Sequence, residues 1–151
     1  MNKRLITLGL TLVFGAVWSL PAFSQAKPET LVKQRQAAMT LQGKYHYGQL
    51  RLMARGKMPY DANRAARAAG FLEALSQMPW DGFAPSTTNV KSAALPAVFS
   101  EPAKFKEAQE RLQSETAKLV SVIKNGDEAA VKAQIGAVDK ACGGCHDNFR
   151  E

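Results

Sequence analysis

From residue 28 onward the apolar positions recur at helical spacing, and no sustained alternating, β-branched run calls for a strand. Val32, Met39, His46 and Met53 recur every seven residues, flanked by Leu31, Ala38, Tyr45 and Leu52. This stripe predicts a first helix from about Pro28 to about Arg55, with Lys33, Lys44 and Arg51 off the apolar face. Gly56 and Pro59 stop it, while Gly43 and Gly48 inside it point to a bend or a close neighbour. Asp61 is the predicted N-cap of a second helix, whose inner face is Ala65, Ala69, Leu72 and Leu75 and which ends before Pro79.

From Pro79 to about Ser100 the chain is rich in Pro, Gly, Ser, Thr and Asn, without a helical period. Connections of this length in compact domains are usually functional or wrap something. Trp80 and Phe83 at its start either cover a hydrophobic ligand or plug one end of a bundle. A third helix opens at Ser100-Glu101-Pro102, with Ser100 as the N-cap candidate, and buries Phe105, Ala108, Leu112, Leu119 and Ile123. Asn125-Gly126 closes it and Asp127 caps a fourth, with Val131, Ile135, Val138, Cys142 and Cys145 on one face. Four amphipathic helices, with one long connection between the second and third, predict an all-α, antiparallel four-helix bundle.

The N-terminal stretch changes the compartment. Met1-Asn2-Lys3-Arg4 is basic, Leu5 to Leu20 is almost wholly apolar and uncharged, and Pro21 to Ala26 brings small residues. These are the parts of a secretory signal. Residues 1–26 are therefore expected to be a signal peptide, cut after 24 or 26, and 27–151 the bundle. A membrane anchor is the weaker reading, because the apolar run falls short of the ~20 residues a spanning helix needs. With no cysteine in this segment, a lipoprotein anchor is not expected. The formal charge is +7 over 151 residues, and +5 without Lys3 and Arg4. The charges are interspersed, which fits a solvated helical surface better than nucleic-acid binding.

Both cysteines of the chain lie in Cys142-Gly143-Gly144-Cys145-His146. A disulfide between them would close a very small loop and add little stability. A thioredoxin-like pair needs a βαβ setting that is missing here, and a zinc site needs a fourth ligand where only His46 remains. Cys-x-x-Cys-His is instead the attachment signature of a c-type haem. On a helix Cys142 and Cys145 share a face, so two thioethers can hold one porphyrin edge while His146 reaches the iron. Opposite it, the first helix offers Arg35, Gln36 and Met39. Met39 is either a sixth ligand or an apolar cover; His46 lies about two turns, or ~10 Å, further on and reads as a partly buried aromatic of the bundle.

Lys140 to Arg150, containing this motif, resembles the end of class II c-type cytochromes, the cytochrome c-prime group. Arg35-Gln36-Ala37-Ala38-Met39, Gly56 to Asp61, Met78-Pro79-Trp80 and Phe99 to Phe105 agree in order. The resemblance implies a four-helix bundle with one covalent haem c, a periplasmic location and a homodimer paired through the first two helices. It implies Arg35 and Gln36 near a haem propionate, Met39 over the distal face and Arg150 beside the proximal face. It further implies five-coordinate iron that binds nitric oxide or carbon monoxide; in the low-spin branch of the family a methionine at the Met39 position ligates iron. Two departures stand out: Gly-Gly between the cysteines, and one extra residue between Met39 and Gly56.

Three functions compete. The favoured one is a haem protein, with His146 as proximal ligand and Met39 as distal lid, that binds small diatomic gases and/or transfers electrons. The alternative is a one-electron carrier with His146 and Met39 as axial ligands, its basic surface steering an acidic redox partner. The weakest is a bundle in which haem only stabilises the fold. No distal histidine is placed for peroxide chemistry and no acid–base pair is evident, so an enzyme is not expected.

Overall fold

The computed structural model describes residues 26–151; the predicted signal peptide lies outside them except for Ala26. Helix α1 (Pro28–Tyr45) begins on its proline, where the missing N–H costs no helical bond. It runs into a π-turn, His46–Leu50, and a final α-helical turn, Arg51–Ala54. A π-turn takes one extra residue into a helical ring. Inserted into a regular helix, that residue would rotate everything beyond it by about 100°. Here Val32, Ala38, His46, Leu50 and Met53 all stay buried, so the added residue between Met39 and Gly56 is absorbed locally. A Cβ on Gly48 would meet nothing within 4 Å, so this glycine marks the bend, not a close neighbour.

Asp61 caps α2 (Ala62–Ser76), accepting from the Arg64 N–H at 2.8 Å. Ala65, Ala69, Leu72 and Leu75 form its buried face as expected. The end of α2 is closed by its neighbours. Gln42 Nε2 of α1 donates to the Leu75 carbonyl at 2.8 Å, and Trp80 Nε1 to that of Ser76 at 2.7 Å.

The long connection holds three short helical turns, Trp80–Phe83, Pro85–Thr87 and Ala97–Ser100. Ser100 belongs to the last of these and does not cap the third helix. Glu101 takes the cap position of α3 (Pro102–Lys124) without a side-chain cap bond, its carboxylate being paired with Lys104. Asp127 caps α4 (Glu128–Phe149), its Oδ1 accepting from the Ala129 and Ala130 N–H groups at 2.9 and 3.2 Å.

The four helices form the expected bundle. Leu50, Leu72, Leu119 and Ile135, one from each helical arm, are fully buried in a shared core. Each contributes about 1.5–3 kcal/mol by leaving water. Helix α2 packs on α1 and α3, and α4 on α3 and on the Arg51–Ala54 turn. Helix α1 before the π-turn makes little direct contact with α4. A cavity separates them there.

Candidate functional site

The last turns of α4 carry Cys142, Cys145, His146 and Phe149 at i, i+3, i+4 and i+7, the spacing of one helical face. Opposite them, Arg35, Gln36 and Met39 project from α1. Between lies a cavity of about 280 Å³ lined by these three residues and by Cys145, His146, Phe149 and Arg150. Phe83 and Phe105 form an aromatic wall, their rings 4.8 Å apart, and Phe105 meets Phe149 at 5.2 Å. Ser92, Ala93 and Ala94 make the rim. The rim is fastened by main-chain bonds: Leu95 N–H donates to the Phe149 carbonyl and Glu151 N–H to that of Ala93, both at 3.0 Å, bracketing an antiparallel Ala94–Arg150 bridge.

The predicted site residues divide accordingly. Arg35, Gln36, Met39, Phe83, Cys145, His146 and Arg150 share one cavity. Trp80 does not line it; its ring stacks behind Phe83 at 6.0 Å, so it backs the aromatic wall. Cys142 also lies outside the lining, one turn back on α4, against Tyr47 and Asp139. Phe105 was legible as a buried position of the third helix, with no signal that it faces a ligand, and Phe149 was not singled out. Tyr47, Gly82 and Asp139 carried no sequence signal, since their roles depend on contacts across the bundle.

The electrostatics favour thioether and iron chemistry over a dithiol. Burial above all, then the charges of Asp139 and Cys145, pushes the Cys142 thiol up to about 11. Burial raises Cys145 as well. A redox dithiol needs the opposite, a depressed thiol that ionises near neutrality. The His146 imidazole lies below its ordinary value, through desolvation and then the nearby Arg150. It is thus held neutral, the form in which imidazole binds a metal.

Arg35 is only 5% exposed, and its Nη1 donates to the Gly82 carbonyl at 2.6 Å. Its guanidinium sits 4.3 Å over the Phe83 ring. Among the described residues no carboxylate lies within ion-pair distance of it. A buried cation without a counter-charge at an aromatic-walled cavity suits a flat, carboxylate-bearing ligand. The donor set therefore fits a haem: the Cys145 thiol and a neutral imidazole on one wall with Cys142 one turn behind them, and a guanidinium without a counter-charge and a thioether on the other.

A helical bundle opened on one side around a Cys-x-x-Cys-His face defines a class, that of bundles built around one prosthetic group. The chain belongs to the cytochrome c' family. The family model described as Cytochrome C' matches residues 30–150. A cytochrome c' of Rubrivivax gelatinosus is 40% identical over 83% of this chain and 97% of its own length. The crystal structure of the Rubrivivax gelatinosus protein superposes with a TM-score of 0.78, covering 98% of that chain. A nitric oxide complex of a variant cytochrome c prime from Alcaligenes xylosoxidans, 36% identical, superposes with a TM-score of 0.76 over 83% of this chain and 98% of that one. A cytochrome c-554 of Cereibacter sphaeroides is 30% identical over 94% of this chain and 95% of its own length. Membership of the family implies a c-type haem.

Proposed function

We propose that the protein is a periplasmic mono-haem cytochrome c' that binds nitric oxide and carbon monoxide and exchanges single electrons, and that it is not an enzyme. Cys142 and Cys145 would form the two thioethers and His146 the proximal iron bond. Haem supplies diatomic binding and one-electron exchange when bound; the chain supplies the rest. Arg35 and Gln36 hold the propionate side, and Met39 covers the distal face with an apolar thioether. Phe83, Phe105 and Phe149 exclude water, and Arg150 stands at the proximal side with a hydrogen-bond donor. The observation that carries this reading is the single cavity in which Met39 on α1 and His146 on α4 face the same space. The nitric oxide complex of the Alcaligenes relative supports the ligand class.

The same facing pair also favours a second reading, a low-spin electron carrier in which Met39 is the sixth ligand. An optical spectrum separates the two. The first expects a high-spin ferrous spectrum that shifts on adding carbon monoxide. A split low-spin α/β spectrum with a sulfur-to-iron band in the ferric state would sink it.

The signal-like sequence of residues 1–26 supports a periplasmic setting. Among the described residues no helix is long and apolar enough to cross a membrane. Pairing as a homodimer through α1 and α2 is supported by Leu41 on α1, Phe71 on α2 and Met78 in the turn just after α2, which expose 42%, 47% and 61% of their surfaces. Sedimentation of the wild type and of Phe71→Glu checks it: the wild type should run as a dimer and the variant as a monomer.

A further inference from the structure

One buried titratable group takes no part in the site just described. His46 opens the π-turn and is 1% exposed, in a bundle whose other buried positions are mostly apolar. Its Nε2 lies 3.1 Å from Asp139 Oδ1. Asp139 is also approached by Arg51 Nε at 3.3 Å and Arg55 Nη2 at 3.5 Å. Flanked by two guanidiniums, this carboxylate accepts the Nε2–H and so fixes that tautomer. His46 Nδ1 is left buried without a protein partner. Such an orphaned acceptor is costly in a core and calls for a reason. π-turns themselves concentrate at functional sites.

The place of the pair supplies the reason. Asp139 is three residues before Cys142 on α4, and Tyr47, next to His46, lies against the Cys142 thiol. The charged and titratable groups facing His46 are Asp139 from α4 and Arg51 from its own arm. Arg55, Tyr47 and Cys142 complete the cluster around Asp139, and Cys142 ceases to titrate once it is a thioether. Two arginines and one aspartate leave the cluster one positive charge in excess. A further proton is disfavoured there, and any added negative charge next to Cys142 relieves that penalty.

We propose that the His46–Asp139 pair is a proton-binding site coupled to the haem: one proton is taken up as the haem gains one electron. The proposal rests on the haem assignment above. The electron comes from a one-electron donor such as a mediator dye, and the ferric centre becomes ferrous. The proton comes from solvent across Asp139, which is 25% exposed, and is held within the pair. Reoxidation returns both. No bond other than that to the proton forms or breaks.

The test is the midpoint potential of the holoprotein against pH in mediated titrations, for the wild type, His46→Gln and Asp139→Asn. The wild type is expected to lose potential as pH rises through the mildly acidic range, and both variants to lose that slope. An unchanged slope in folded variants overturns the proposal and places the proton elsewhere, on haem carboxylates or near His146. Should the variants fail to fold, imidazole nitrogen resonances of the wild type decide. His46 should titrate at a higher pH in the ferrous, carbon monoxide-bound protein than in the ferric one; equal midpoints overturn the coupling. A chain that shows no haem spectrum fails the haem assignment instead, before any slope is read.

Discussion

Gly82 and Arg35 are fitted to one another twice over. A Cβ on Gly82 would stand 2.4 Å from the Arg35 Cβ and 2.7 Å from the Leu31 carbonyl. Across that close approach the Arg35 guanidinium donates to the Gly82 carbonyl at 2.6 Å. The glycine brings the Trp80–Phe83 turn onto α1, and the arginine locks it there with Phe83 on the cavity wall.

Gly82→Ala is therefore expected to push this turn off α1, because one of the two obstructing atoms is backbone. Overpacking of this kind costs about 1–3 kcal/mol. Denaturant unfolding of the holoprotein measures it. An unchanged midpoint would mean that the turn yields freely.

Arg35→Met removes the charged donor to the Gly82 carbonyl and leaves it only the longer bond from Thr87 Oγ1 at 3.2 Å; losing a charge-assisted bond of this kind costs about 1.5–3 kcal/mol. Arg35→Lys should restore little, since a point ammonium cannot stack flat on Phe83 while reaching Gly82. Unfolding curves of both variants check the ranking; full rescue by lysine contradicts it.

Met39→Ala distinguishes a lid from a ligand. As a lid, Met39 must be displaced before carbon monoxide enters, and its loss should raise affinity about tenfold, equivalent to ~1.4 kcal/mol. The resting spin state should stay unchanged. A change of spin state identifies Met39 as a ligand.

The pH dependence of stability follows from His46. Burial holds its folded-state value below the ordinary 6.5, with Asp139 opposing only in part. Between the folded value and about 6.5 the unfolded chain binds more protons, so stability rises with pH across that window. The penalty is absent above it and grows as pH falls through it. Thermal midpoints of the ferric protein should fall more steeply below pH ~6.5 in the wild type than in His46→Gln.

Asp127→Ala should cost about 1 kcal/mol, because two N–H groups at the start of α4 lose their acceptor. Unfolding midpoints measure this, with the optical spectrum expected unchanged.

The bundle was legible because its signals are local. Asp61 and Asp127 cap the helices predicted for them, and the Ala65–Leu75 stripe faces the core. The Cys-x-x-Cys-His face was legible for the same reason. What escaped depends on contacts between distant segments. Ser100 has the chemistry of a cap, but a preceding helical turn claims it. Trp80 read equally as a ligand cover or a bundle plug; its Nε1 is engaged at the end of α2 and its ring stacks on Phe83 outside the cavity lining. The heptad stripe placed His46 on the inner face but gave it only partial burial; its full enclosure requires Asp139, far away in sequence, and the π-turn that no periodicity announces.

The rim at Ala93–Leu95 is held to Phe149–Glu151 through peptide groups alone. Peptide hydrogen bonds are indifferent to the side chains beside them. The Ser92 hydroxyl accepts from the Ala94 N–H at 3.4 Å, whereas the side chains of Ala93 and Ala94 are thus released from structural duty. Their bulk and polarity can drift between related chains, widening or narrowing the doorway, while the frame of the door stays the same.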